Sequence, residues 1–159
     1  MTHDVCKTWH RLAGLSLLSL SLGLAPQAWA QSDGDARQGT FKAVQGEVTV
    51  VRGNAHSAAV VGGGVQTTDR IVTGPRSATS LTLRDGTVLA VGPDSVMELA
   101  EFSFDATTQD GNLLVSLLRG SLRVVTGLIA KLKPEQVKVT TPTTVIGVRG
   151  TDFIVEQNP

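Results

Sequence analysis

The chain has 159 residues, of which 14 are basic and 14 acidic, so its formal net charge at pH 7 is zero. A balanced charge gives no electrostatic argument for binding to nucleic acid or to an anionic membrane surface. The 17 glycines, together with the absence of tyrosine, favour a single turn-rich all-β domain, because glycine marks chain reversals.

The first thirty residues have the pattern of a secretory signal peptide. Lys7 and Arg11 precede an apolar run from Leu12 to Ala25, and the segment ends in Ala28-Trp29-Ala30. A short basic region, a short apolar core and an Ala-x-Ala end are typical of a cleaved signal, and the run is too short to span a bilayer comfortably. We therefore expect cleavage after Ala30, a periplasmic or secreted location, and no integral membrane segment in the mature chain.

Cleavage would also change the chemistry of the chain. The single cysteine, Cys6, lies in the removed segment, so the mature chain would have neither a disulfide nor a metal-binding thiolate. Residues 31–39 are small and polar and predict a flexible leader. The β domain is predicted to cover residues 40–157.

From Phe41 onward, apolar residues recur at alternate positions, which is the period of a half-buried β-strand. After a first strand around Val44–Val50, the predicted strands are Ser80–Leu83, Val88–Val91, Val96–Leu99, Leu113–Leu118, Leu122–Val125, Val137–Thr140 and Phe153–Val155. Leu113–Leu118 is apolar on both faces and predicts a central strand covered on both sides. Leu128–Lys133 predicts at most one helical turn, ended by Pro134, and Asn54–Gly64 predicts a flexible loop.

A polar residue followed by glycine recurs at irregular intervals between apolar runs. The four pairs are Gln45-Gly46, Asp85-Gly86, Arg119-Gly120 and Arg149-Gly150. Such a recurring corner favours either a meander of short strands or the coils of a β-solenoid. The residues alone leave both arrangements open.

Residues 145–153, Val-Ile-Gly-Val-Arg-Gly-Thr-Asp-Phe, resemble the closing motif of the FecR domain. Asp69–Gly74, Ser77–Gly86 and Gly92–Ser95 resemble the middle of that domain in order and spacing. The resemblance implies a β-solenoid-like periplasmic module of Gram-negative bacteria. In the regulators that give the family its name, this module relays the occupancy of an outer-membrane TonB-dependent receptor to an anti-sigma factor, which implies a link to iron or receptor sensing.

The sequence shows no anti-sigma region and no internal transmembrane helix, so we expect a stand-alone module. Its function would be regulatory and non-catalytic, exerted through contacts with a protein partner of unknown identity. The alternative is a structural β-protein of the envelope or extracellular matrix.

The positions that match the family pattern are Asp69, Thr73, Gly74, Asp85, Gly86, Pro93, Gly120, Gly147, Arg149, Gly150, Thr151 and Phe153. One interpretation is that they form a ligand or partner surface. The other is that the aspartates Asp69, Asp85 and Asp94 accept hydrogen bonds from turn N–H groups, while Arg149 pairs with a carboxylate at a corner. We prefer the structural interpretation, because turn chemistry accounts for each aspartate locally.

No residue set predicts catalysis, a cofactor or a metal. Gly62–Gly64 lacks the following helix and the Lys-Ser/Thr pair of a phosphate loop, and His56 has no nucleophile elbow to complete a hydrolase triad. Asp105, Asp110 and Asn112 lack the spacing of a calcium loop, and Asp110-Gly111 is explained more simply as a turn. We therefore expect that the chain is not an enzyme.

The last predicted strand, Phe153–Val155, has no later strand to cover its edge. Unpaired N–H and C=O groups along a strand recruit other strands. Either a partner or a second copy adds a strand there, or the strand around Gly46–Val50 folds back to pair with it. The sequence does not decide between the two.

Overall fold

The structure is a computed structural model that describes residues 37–158. The predicted signal peptide and residues 31–36 of the predicted leader lie outside this range. Within it, over half of the residues are β-strand, and the only α-helix of the described part has five residues. The all-β prediction is confirmed.

The twelve strands of the described chain are β1 (Gly39–Gln45), β2 (Val48–Arg52), β3 (Ala55–Ala58), β4 (Gly64–Val65), β5 (Arg70–Thr73), β6 (Ala78–Leu83), β7 (Val88–Val91), β8 (Val96–Phe104), β9 (Gly111–Val125), β10 (Val137–Thr140), β11 (Val145–Gly147) and β12 (Asp152–Gln157). Helix α1 (Leu128–Leu132) follows β9 and leads into a 3-10 turn at Pro134–Gln136. The first strand thus begins one residue before the predicted start of the β domain.

Seven of these strands make up four long bent strands. β1 continues into β2, β5 into β6, and β7 into β8, while β9 is bent but unbroken. Their pairing gives a first half-sheet in the order β4-β1-β6-β7-β9-β12 and a second half-sheet in the order β3-β2-β5-β8-β9-β10-β11. The two half-sheets share β9, so the whole is one sheet folded over on itself.

The pairing decides between the two predicted arrangements. Ten of the eleven strand pairs are antiparallel, and only β9 with β10 is parallel. A β-solenoid stacks parallel strands from successive coils. The meander is therefore correct, and the solenoid-like arrangement implied by the resemblance is wrong for this chain.

A single hydrophobic core lies between the half-sheets. In central strands such as β6 and β7, alternate residues point into it, as the period of two requires. Leu81, Leu89 and Leu122 enter from the first half-sheet, and Ile71, Met97 and Leu117 enter from the second; all are fully buried. Burial of one such side chain stabilises the fold by about 1.5–3 kcal/mol, so the facing apolar rows hold the bent sheet closed.

The segment Asn54–Gly64 is not the flexible loop that was predicted. It contains β3 and leads into β4, and the N–H of Ala59 donates to the carbonyl of Val48 at 2.8 Å. Phe41 accepts a bond from the N–H of Gly62 (2.9 Å) and donates one to the carbonyl of Gly63 (3.0 Å). The prediction failed because small and polar residues show no alternation, whereas backbone pairing requires no particular side chain.

Strand β9 confirms the predicted central position of Leu113–Leu118, since it pairs with β7, β8, β10 and β12. The prediction that both faces are covered is wrong, because Leu114 is only half-buried and Leu118 is 40% exposed. After β9, α1 is the single helical turn that was predicted. Its Ile129 is buried, whereas Leu128 and Leu132 are exposed.

Candidate protein-binding site

Four of the family-pattern residues, Thr73, Gly74, Pro93 and Gly120, lie together where the long strands bend. The hydroxyl of Thr73 donates to the carbonyl of Gly92 at 2.6 Å and accepts the N–H of Ser95 at 2.9 Å. Gly120 has φ +90°, and a Cβ added there would lie 2.6 Å from the Cα of Ser95. These residues shape the bend of the sheet. We call the residues at this bend, 46–47, 73–77, 92–95 and 120–121, the corner row.

Two further family-pattern residues are buried carboxylates. Asp69 is fully buried and accepts hydrogen bonds from Nε and Nη2 of Arg52 and from the N–H of Gln66, all at 2.7 Å. Asp85 accepts the N–H of Thr87 at 3.0 Å and its hydroxyl at 2.7 Å, beside Gly86 in the β6–β7 turn. Both accept a turn N–H, as the structural interpretation predicts, and Asp69 also holds Arg52 of β2. Their burial keeps them from contacting a partner.

Two predicted contacts are absent from the described chain. The carboxylate of Asp94 is exposed and bonds to no residue in 37–158. Asp94 contributes to its turn through its backbone, whose φ of +52° is tolerated better by aspartate than by most residues. Arg149 is exposed and forms no ion pair within the same range. The prediction that Arg149 pairs with a carboxylate at a corner is therefore wrong.

The remaining family-pattern residues surround a groove of about 440 Å³ between β11 and β12. It is lined by Ile146, Gly147, Val148, Arg149, Phe153, Ile154, Val155 and Glu156. Gly150, at φ +141°, and Thr151 form the link between the two walls. The groove is mainly apolar, with one cationic and one anionic residue in its lining.

The wall formed by β12 has an open outer edge. β12 pairs antiparallel with β9, and the N–H of Thr126 donates to the carbonyl of Thr151. Antiparallel pairs alternate between bonded and non-bonded positions. The backbone groups of Phe153, Val155 and Gln157 therefore point to β9, and those of Asp152, Ile154 and Glu156 point outward.

No described strand covers this edge. β1 pairs with β4 and β6, and β2 pairs with β3 and β5. The alternative in which the strand around Gly46–Val50 folds back onto the last strand is therefore wrong.

The wall formed by β11 is open in the same way. The N–H of Val148 donates to the carbonyl of Val137, and Ile146 lies opposite Val139. By the same alternation, the backbone groups of Val145 and Gly147 point away from β10. Both walls of the groove thus carry unpaired backbone groups within the described chain.

The side chains along these edges combine exposed apolar surface with little unmatched charge. Val145 is 67% exposed and Ile154 64% exposed. Arg123 donates to Asp152 from Nε at 2.9 Å, and this hydrogen bond holds the pKa of the Asp152 carboxyl below its ordinary value. Glu156 forms no ion pair with another residue in 37–158.

The residues considered as candidates for catalysis or metal binding have other roles in the structure. His56 lies exposed in β3, opposite Val51. The Asp105 carboxylate accepts the N–H groups of Thr107 (2.7 Å) and Thr108 (3.1 Å) within the β8–β9 loop. Among residues 37–158, no three His, Cys, Asp or Glu side chains are grouped so that they could hold a metal ion. No helix in the described range is long and apolar enough to cross a membrane.

A family model described as "FecR protein" matches residues 69–159, which is more than half of the chain. The chain belongs to the FecR family. A search of curated proteins and a search of solved structures each gave no match. Membership confirms the resemblance and indicates a regulatory or signalling module. The match begins at the buried Asp69 and includes the corner row from Thr73 onward and the whole groove.

Sequence reasoning missed the serines of this FecR domain. Three glycines of the corner row each face a serine of the neighbouring strand, in the pairs Gly46 with Ser77, Gly120 with Ser95, and Gly92 with Ser121. The hydroxyl of Ser77 accepts the N–H of Glu47 at 2.9 Å, and that of Ser95 accepts the N–H of Ser121 at 3.0 Å. A signal was present, since the tetrapeptide Gly-Pro-x-Ser occurs both at Gly74–Ser77 and at Gly92–Ser95.

Proposed function

We propose that this FecR-family chain is a non-catalytic periplasmic module of envelope signalling, and that a partner protein adds a β-strand to the outer edge of β12. The observation that carries the proposal is the row of outward-facing backbone groups at Asp152, Ile154 and Glu156, which no described strand pairs. The periplasmic location is supported by the signal-peptide pattern of residues 1–30 and by the family. The family also favours a receptor of the outer membrane, including an iron-linked one, as the source of the signal.

β12 is better suited to strand addition than the other open edges of the described chain. It has six residues, whereas β3 has four, β11 three and β4 two. Proteins protect open edges with short strands, prolines or unpaired charges. In β12 the charge of Asp152 is matched by Arg123, and Glu156 is the one outward charged residue without an ion pair in the described chain, so this protection is weak.

Strand addition provides affinity through main-chain hydrogen bonds and specificity through the pockets beside the edge. The groove supplies such pockets, because Phe153 and Val155 of β12 contribute to its lining. The module can therefore recognise a partner without any catalytic group.

Replacing Ile154 with proline tests the proposal, because proline removes one outward N–H and leaves the bonds from β12 to β9 in place. We expect Ile154→Pro to lose the partner in a periplasmic cross-linking pull-down while the thermal midpoint falls little. Ile154→Ser, which keeps the amide, should retain most of the binding.

His56→Pro is the matched control. The N–H of Ala59 bonds to Val48, so the amide of His56 points outward from another open edge strand, β3. Retention of the partner by Ile154→Pro, or equal loss in both proline variants, would contradict strand addition at β12. Polymerisation of the purified wild-type protein through this edge would instead support the structural envelope protein.

A further inference from the structure

We infer that the partner strand is heterologous, with apolar side chains directed into the groove and a lysine or arginine opposite Glu156. This inference rests on the proposed function, since it specifies the chemistry of the strand that β12 receives. It follows from the two faces that the edge presents to an added strand.

The inner face requires apolar residues. Successive side chains of a strand point to opposite faces, so residues added beside Phe153 and Val155 would point to the same side as these two. Phe153 and Val155 are distinguished from the exposed Ile154 and Glu156 by packing on the hydrophobic core, and Ile146 and Val148 line the other wall of the groove. An apolar side chain placed there would contact both walls and cover the partly exposed Phe153.

The outer face requires a cation at one position. Ile154 and Glu156 point to this face, where their cross-strand neighbours on β9 are Arg123 and Ser121. Ser121 is neutral, so the negative charge of Glu156 is unmatched, whereas that of Asp152 is matched by Arg123. Opposite charges on directly facing strand residues are favourable and like charges are unfavourable. The position opposite Glu156 therefore selects a basic residue.

Arg149 lies on the other wall of the groove and does not satisfy Glu156. No ion pair joins these two residues, although both line the same groove. The negative charge of Glu156 on the β12 wall is therefore not neutralised by Arg149.

A second copy of the chain fits this edge less well. Antiparallel pairing of β12 with itself, centred on Ile154, would place Asp152 of each copy opposite Glu156 of the other. Centring on Val155 would place Glu156 opposite Ile154. Glu156 meets no cation in either register, and the first register adds like-charge repulsion.

The test uses two fluorescein-labelled hexapeptides as probes. Both contain only valine and threonine, except for one outward residue that is lysine in one peptide and glutamate in the other. We expect the purified protein to bind the lysine peptide about fivefold more tightly by fluorescence anisotropy, the ratio that corresponds to a facing charge pair at a strand edge. Glu156→Lys should reverse this preference.

Glu47→Lys is the matched control, because Glu47 is also exposed and its replacement by lysine makes the same charge change at the corner row. It should leave the preference for lysine unchanged. Equal binding of the two peptides by the wild type, the same preference in Glu156→Lys, or binding of neither peptide would overturn the inference. A concentration-dependent dimer that Ile154→Pro abolishes would overturn it in favour of a second copy.

The failure of this inference and that of the proposed function are distinguishable. The pull-down with Ile154→Pro and His56→Pro reports whether any partner uses the edge, whereas the peptide preference reports the charge of the added strand. Loss of the partner in Ile154→Pro without a charge preference would leave strand addition intact and remove only the assignment of a basic residue.

Discussion

At the scale of single residues, two aspartate–arginine pairs of the same geometry serve different purposes. Asp69 and Asp152 each accept two hydrogen bonds from one guanidinium, of Arg52 and Arg123 respectively. Asp69 is fully buried, whereas the side chain of Asp152 is 42% exposed. Water can replace the lost partner only at the exposed site, so the buried pair should matter more for stability.

We predict that Asp69→Ala lowers the free energy of unfolding by roughly 1–3 kcal/mol, because the N–H of the half-buried Gln66 loses its acceptor. Asp152→Ala removes the same kind of ion pair at the surface and should change the urea midpoint little. Equal midpoints for the two variants would show that burial does not distinguish the pairs.

A second prediction concerns the protonation of Asp152. The hydrogen bond from Arg123 holds its pKa below the ordinary value of 3.8. Because the pKa is lowered in the folded state, the pair contributes stability above the unfolded pKa and loses it as the pH falls through the folded pKa. In a carbon-detected NMR titration, Arg123→Gln should raise the pKa of Asp152 towards its ordinary value.

Asp105 is the internal control for this titration. Hydrogen bonds from the N–H groups of Thr108 and Thr107 lower the pKa of its carboxyl, and Arg123 takes no part in them. If the pKa of Asp152 did not change in Arg123→Gln, or if the pKa values of both aspartates changed together, the hydrogen bond from Arg123 would not be the cause of the lowered pKa.

At the scale of elements, the corner row explains how four strands bend at the same level. At three of the four bends, a glycine lets the neighbouring strand approach closely. Two of the facing serines, Ser77 and Ser95, accept hydrogen bonds from backbone N–H groups at the bend. The corner row therefore replaces ladder hydrogen bonds that would be lost where the sheet folds.

We predict that Gly120→Ala destabilises the protein much more than Gly53→Ala. Both glycines have positive φ, but a Cβ at Gly53 meets open space, whereas at Gly120 it meets the backbone of Ser95. Backbone strain costs roughly 1–3 kcal/mol at either site, and overpacking adds about 1–3 kcal/mol at Gly120 alone. Similar thermal midpoints for the two variants would argue against close packing at the corner row.

The sequence predicted what depends on local chemistry. Gly46, Gly86, Gly120 and Gly150, each identified as a corner, all have positive φ, and the alternating runs became strands. It could not reveal that β9 continues through Gly120, since a bend within a strand and a turn between strands share the same residues. The groove could not be predicted from the sequence either, because it depends on the distance between β11 and β12, which do not pair with each other.

At the scale of the whole described domain, the two half-sheets are joined through the shared strand β9, and they remain unjoined where β11 and β12 form their edges. The corner row joins the half-sheets along one line, while β11 and β12 leave two unpaired edges on either side of the groove. The fold thus protects its core and still presents backbone groups for pairing. The proposed strand addition uses this combination.

Amide hydrogen exchange, followed by NMR in the free protein and in complex with the partner recovered by cross-linking, tests the central claim most directly. In the free protein we predict slow exchange at Phe153 and Val155 and fast exchange at Ile154 and Glu156, because only the first two donate to β9. In the complex, Ile154 and Glu156 should become protected. Slow exchange at Ile154 in the free protein, or protection gained at β3 instead of β12, would contradict the claim.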